Sequence, residues 1–101
     1  MERSMKKDLY LPIGSIVRIK GSEKKLMIFG RRQKERDKEK LWDYVACLYP
    51  EGNLSMEVSI LFQQEQIEEI YFLGYSDEEE VEYRSKFLDL ETEAGKPQNF
   101  M

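Results

Sequence analysis

Between Leu11 and Gly74 the apolar residues come in short runs, each cut off by a glycine, a proline–glycine turn or a polar stretch before it reaches helical length. Ile13, Ser15, Val17 and Ile19 alternate with Gly14, Ile16, Arg18 and Lys20 until Gly21-Ser22 breaks the pattern, which predicts a first strand. Leu26-Met27-Ile28-Phe29, closed by Gly30, predicts a second strand near enough to pair with the first as a hairpin. Leu41 to Tyr49 has large apolar residues on both alternating faces, as a strand does when both surfaces of a small, coiled sheet are covered. Pro50-Glu51-Gly52-Asn53 reads as its stop, a type I turn with Pro50 second and Gly52 fourth. Met56, Val58, Ile60 and Phe62 alternate with Ser55, Glu57, Ser59 and Leu61 and predict a fourth strand. Gln63 to Glu68 reads as a single helical turn, and Ile70-Tyr71-Phe72-Leu73, stopped by Gly74, as a fifth strand completing a meander.

The pattern changes at Ser76-Asp77-Glu78-Glu79, where the Ser76 side chain as cap and an acidic first turn predict the start of a helix. It is expected to run from about Asp77 to about Glu93 and to end at Gly95, with Pro97 beyond. Tyr83, Phe87 and Leu90 fall on one stripe of that helix, with Val81 and Leu88 to one side. The expected fold is therefore α+β: a small, twisted, mainly antiparallel sheet of about five strands, curling towards a barrel of SH3 type, with one C-terminal helix. Residues 10–94 are expected to form a single globular domain, with flexible ends at 1–9 and 95–101.

With 101 residues, of which 41% are hydrophobic and 36% charged, the chain has material for one core and an unusually charged surface. The absence of histidine and the single Cys47 exclude an internal disulfide, the common metal-ligand clusters and the histidine-dependent nucleophile pairs. No cofactor and no enzymatic activity are expected. The apolar runs are too short for a membrane span and no signal peptide opens the chain, so a cytoplasmic location is expected. Charge is uneven. Residues 1–50 hold 13 Lys+Arg against 7 Asp+Glu, whereas residues 51–101 hold 3 against 13, an asymmetry that either serves partners of opposite sign or lets the halves attract one another.

Four segments carry a resemblance to a known family: Leu11-Pro12-Ile13-Gly14-Ser15-Ile16-Val17, Lys25-Leu26-Met27-Ile28-Phe29-Gly30-Arg31, Tyr44-Val45-Ala46-Cys47-Leu48-Tyr49-Pro50-Glu51-Gly52-Asn53 and Ile67-Glu68-Glu69-Ile70-Tyr71-Phe72-Leu73-Gly74-Tyr75. In order and spacing they resemble the domain-of-unknown-function 4176 family, over residues 10–90. Such proteins occur in Gram-positive bacteria, commonly encoded beside type VII secretion genes and toxins with an LXG targeting domain. The resemblance implies an accessory role in type VII secretion, as an adaptor or chaperone of an LXG toxin or of its small helical targeting partners. It brings no catalytic residues.

Three clusters are candidates for function. Arg31 to Lys40 has six basic and three acidic residues; Arg31, Arg32, Lys34 and Arg36 are its candidate anion-binding groups, with Trp42 and Tyr44 as aromatics for stacking. The interleaved acids favour a solvated hairpin tip instead, so nucleic acid ranks as the alternative ligand. Glu65, Glu68, Glu69 and Asp77 to Glu80 read as a helix start with solvated acids rather than as a cation site, and Cys47 as a small core residue. The helix stripe Tyr83, Phe87 and Leu90, with Val81 and Leu88 beside it, is the candidate partner surface, because one sheet face does not readily bury both groups. A protein partner is thus expected, with a nucleic-acid-binding barrel or a toxin-neutralising immunity protein as alternatives.

Overall fold

In the computed structural model, residues 10–35 and 38–89 are described. The expected flexible ends and the far part of the expected helix, Leu90 included, lie outside the described residues. The chain divides into two compact units: Leu11–Tyr75, and a second to which Tyr10 and residues 76–89 belong.

The first unit is a five-stranded antiparallel sheet of β1 (Ile16–Ile19), β2 (Leu26–Lys34), β3 (Leu41–Leu48), β4 (Ile60–Phe62) and β5 (Ile67–Phe72) in the order β4-β3-β2-β1-β5. Together with the helix after it this is the α+β arrangement expected. The edge strands β4 and β5 are not paired with each other, so the sheet is open and does not close into the SH3-type barrel towards which the sequence predicts it to curl. Four consecutive residues of β3, Tyr44 to Cys47, are buried, which matches the doubly apolar pattern of that strand. Val17, Leu26, Ile28 and Phe62 complete the core around them, and Tyr44 meets Phe62 with ring centroids 5.3 Å apart.

The meander is corrected at its last step. β5 leaves β4 and pairs with the far side of β1, because a 3-10 turn at Gln64–Gln66 redirects the chain and both ends of the new ladder are tied. Lys20 N donates to Gln66 O at 2.8 Å at one end, and Gly74 N donates to Ser15 Oγ at 2.9 Å near the other.

Strand limits also move. β2 does not stop at Gly30: a bulge between Ile28 and Gly30 lets the strand continue to Lys34 opposite Leu41. A side chain at Gly30 would put its Cβ 2.6 Å from Val45 Cγ1, so only glycine passes there without displacing the core. β1 begins at Ile16 because Gly14, at φ +94°, makes a turn of the residues before it. The expected fourth strand keeps only Ile60–Phe62; Met56–Val58 is a 3-10 turn with Met56 and Val58 exposed. The Tyr49–Pro50 peptide is cis, and the turn closes through Gly52 N to Leu48 O at 2.8 Å rather than as a type I turn about Pro50.

In the second unit, α1 (Glu78–Tyr83) is followed by a π-helical turn at Arg84–Asp89. Its N-cap is Asp77, not Ser76: the Asp77 carboxylate accepts from Glu80 N at 3.0 Å. No helix among the described residues is long and apolar enough to cross a membrane.

Candidate functional site

The candidate partner surface lies on α1 and the turn after it. Val81, Tyr83 and Phe87 are exposed, and the rings of Tyr83 and Phe87, one helical turn apart, meet at 5.2 Å between centroids. Leu88 is 2% exposed, which removes it from that surface. Around the rings the helix carries ion pairs one turn apart, Arg84 to Glu80 at 3.9 Å and Lys86 to Glu82 at 3.0 Å. The result is an aromatic pair framed by matched charges. Such a surface binds by burying rings, while its charges set orientation.

The described part of the hairpin tip is solvated, with Lys34, Lys38, Glu39 and Lys40 exposed. Residues 31–34 extend β2, and Arg31 donates through NH1 to Leu11 O at 3.1 Å. Arg32 sits at φ +51°. Lys34 lies 4.0 Å from Glu39, and Lys38 lies 3.8 Å from Glu35. Glu35 also accepts the Trp42 indole N–H at 3.1 Å, while Lys40 Nζ lies 4.3 Å over the Trp42 ring. Two of the acids between the bases, Glu35 and Glu39, are thus partners of lysines. Of the two stacking candidates, Tyr44 is a correction. It is fully buried, and its hydroxyl accepts from Leu11 N at 2.8 Å and hydrogen-bonds Gln64 Oε1, so its ring presents no face to a base. Arg36 lies outside the described residues.

The acidic residues do not converge. Glu69 is 3.2 Å from Arg18, Asp77 caps its helix, and no three potential ligand side chains among the described residues form a set able to hold a metal ion. The Tyr71 hydroxyl first, and the Glu69 carboxylate second, hold the Arg18 guanidinium above its ordinary pKa. Cys47 is a buried free thiol in the middle of β3.

One surface escaped the reading of the sequence. Ile70, Tyr71, Phe72, Leu73 and Tyr75 are all exposed along and just beyond β5. The signal was present: a strand turns alternate residues to opposite faces, so four consecutive large apolar residues are all buried only where both faces are covered, as they are on β3.

A family model described as a domain of unknown function, DUF4176, matches residues 10–83, a stretch holding the whole sheet and α1. The chain belongs to the DUF4176 family. No curated protein and no solved structure matches it. The DUF4176 match thus spans the exposed β5 run, Val81 and Tyr83, and stops short of Phe87.

Proposed function

We propose that this DUF4176 protein is a non-enzymatic, cytoplasmic accessory protein of type VII secretion that works as an adaptor or chaperone. Its partner on this reading is an LXG toxin or one of the toxin's small helical targeting proteins. The observation that carries the reading is the exposed Tyr83–Phe87 ring pair with Val81, on a helix that carries ion pairs beside it. Aromatic anchors of this kind supply most of the affinity of a protein contact, because truncating one loses its whole buried area. The exposed Lys86–Glu82 pair beside them costs little to bring to a rim and discriminates among partners by charge.

The test is co-purification. Tagged wild-type protein expressed with the LXG protein encoded beside it is expected to retain that protein through washing, and Phe87→Asp is expected to release it while the circular dichroism spectrum stays unchanged. A folded Phe87→Asp protein that retains its partner at wild-type level overturns the surface. Absence of any retained LXG or targeting protein overturns the function, and rescue of toxin-expressing cells by this chain alone would replace it with an immunity role.

A further inference from the structure

β5 ends the sheet, and among the described residues no strand pairs with its outer edge. That edge is apolar: Phe72 is 59% exposed and Leu73 is 56% exposed, with Ile70 and Tyr71 exposed before them. Unpaired backbone beside an exposed apolar run is what natural sheets avoid unless another strand covers it.

The opposite edge is short, since β4 has three residues, Ile60–Phe62. β4 reaches only Tyr44 to Ala46 of β3, and glutamines occupy the remaining rim. Gln63 Oε1 accepts from Asp43 N at 3.0 Å and Gln63 Nε2 donates to Leu41 O at 3.2 Å, while Gln64 N donates to Asp43 Oδ2 at 2.7 Å. An amide side chain here takes the donor and acceptor positions of a neighbouring strand. The sheet therefore offers a single long edge.

We infer that β5 pairs antiparallel with β5 of a second copy of this chain, joining two sheets across a two-fold axis. Pairing of the long edge with its own copy is an isologous contact that closes at two, whereas pairing of β5 with the three-residue β4 would propagate without end. The sequence of β5 suits self-pairing. A register centred on Ile70 sets Glu68 opposite Phe72, Glu69 opposite Tyr71 and Ile67 opposite Leu73, so no carboxylate faces another. Charge on the neighbouring strands is matched within the molecule: Arg18 holds Glu69 at 3.2 Å and reaches the Tyr71 hydroxyl, and Lys25 Nζ lies 4.9 Å over the Tyr71 ring. The edge thus selects an apolar strand of similar kind, the composition typical of homodimer contacts. Register shifts displace Glu68 and Tyr71 from the β1 ladder and twist the edge, and a strongly twisted pair is the ordinary geometry of two-stranded contacts.

Sedimentation equilibrium of the full chain, up to about 200 µM, tests the inference through the concentration dependence that mass action requires. The expected species is a dimer of twice the 12.1 kDa chain mass, with the β5 amides gaining protection from hydrogen exchange as concentration rises. Phe72→Glu sets a second carboxylate against Glu68 on both sides of the axis and is expected to raise the dissociation constant about tenfold or more. Phe72→Lys sets an ammonium there and retains the dimer, and Glu68→Lys added to Phe72→Glu restores it. A monomer at every concentration overturns the inference, as does a dimer indifferent to Phe72→Glu or protected elsewhere than β5. Neither outcome touches the co-purification test, which reads a different surface.

Discussion

Ser15 Oγ accepts the Gly74 N–H at 2.9 Å across 59 positions of sequence and donates to Pro12 O at 2.8 Å. The hydroxyl is fully buried and joins the turn before β1 to the chain leaving β5. Ser15→Ala strands the Gly74 N–H without an acceptor and is expected to lower stability by about 1–3 kcal/mol. Gly74→Ala is expected to cost about 3 kcal/mol or more, because its Cβ would lie 2.0 Å from Ile13 O, a backbone atom that cannot step aside. Urea denaturation checks both, and a Gly74→Ala protein as stable as wild type refutes the close approach.

Tyr44 joins a ring in the core to a hydroxyl in a polar network. Tyr44→Phe keeps the 5.3 Å contact with Phe62 but leaves Leu11 N without its acceptor, so a loss of about 1–3 kcal/mol is expected. The urea midpoint should fall with an unchanged slope. An unaltered midpoint would mean that water replaces the hydroxyl freely.

Lys24 Nζ lies 2.9 Å from one carboxylate oxygen of Glu51 and 3.0 Å from the other. The Lys24 hydrogen bond first, and a bond to Glu51's own backbone second, hold the carboxyl below its ordinary pKa. A depressed folded pKa contributes stability that is present above the unfolded value of about 4.3 and is lost as pH falls through the folded value. Lys24→Met is therefore expected to raise the Glu51 titration midpoint, read by carbon-detected NMR. Its stability difference from wild type should shrink as pH falls below about 4 and as salt rises, since the pair is solvent-exposed. A Glu51 midpoint that ignores the lysine refutes the pairing.

Gln63→Ala removes the amide that blocks the rim of β3. It is expected to destabilise the sheet by about 1 kcal/mol and to release Leu41 O and Asp43 N for pairing. Light scattering should then detect species larger than those of wild type, because uncapping Leu41 and Asp43 lengthens the open edge that β4 alone provides. Identical scattering for the two proteins refutes the blocking role.

Alternation made β1 legible and large apolar residues on both faces made β3 so, while the polar stretch from Gln63 announced a turn that ends at Gln66, where β5 begins with Ile67. What the sequence hid was non-local. β5 reads the same whether it lies beside β4 or β1, and only the ties at Gln66 and Ser15 decide between them. Gly30 looked like a stop because glycine usually punctuates strands, whereas here it lets β2 pass Val45. Met56 and Val58 alternate as strand residues do but face solvent, since alternation records periodicity and not which side is covered. In the candidate site, Tyr83 and Phe87 were legible from helical spacing. The removal of Leu88, the internal pairing of the basic hairpin and the exposed β5 edge each required the folded chain.

Trp42 is the single tryptophan, and it sits among the charges of the hairpin, its N–H on Glu35 and its ring beneath Lys40. Intrinsic fluorescence of this protein consequently reports fraying at the tip of one ribbon, not melting of the hydrophobic interior. A thermal scan followed by emission should change at lower temperature than one followed by far-ultraviolet dichroism, and the gap between them measures how independently the ribbon opens.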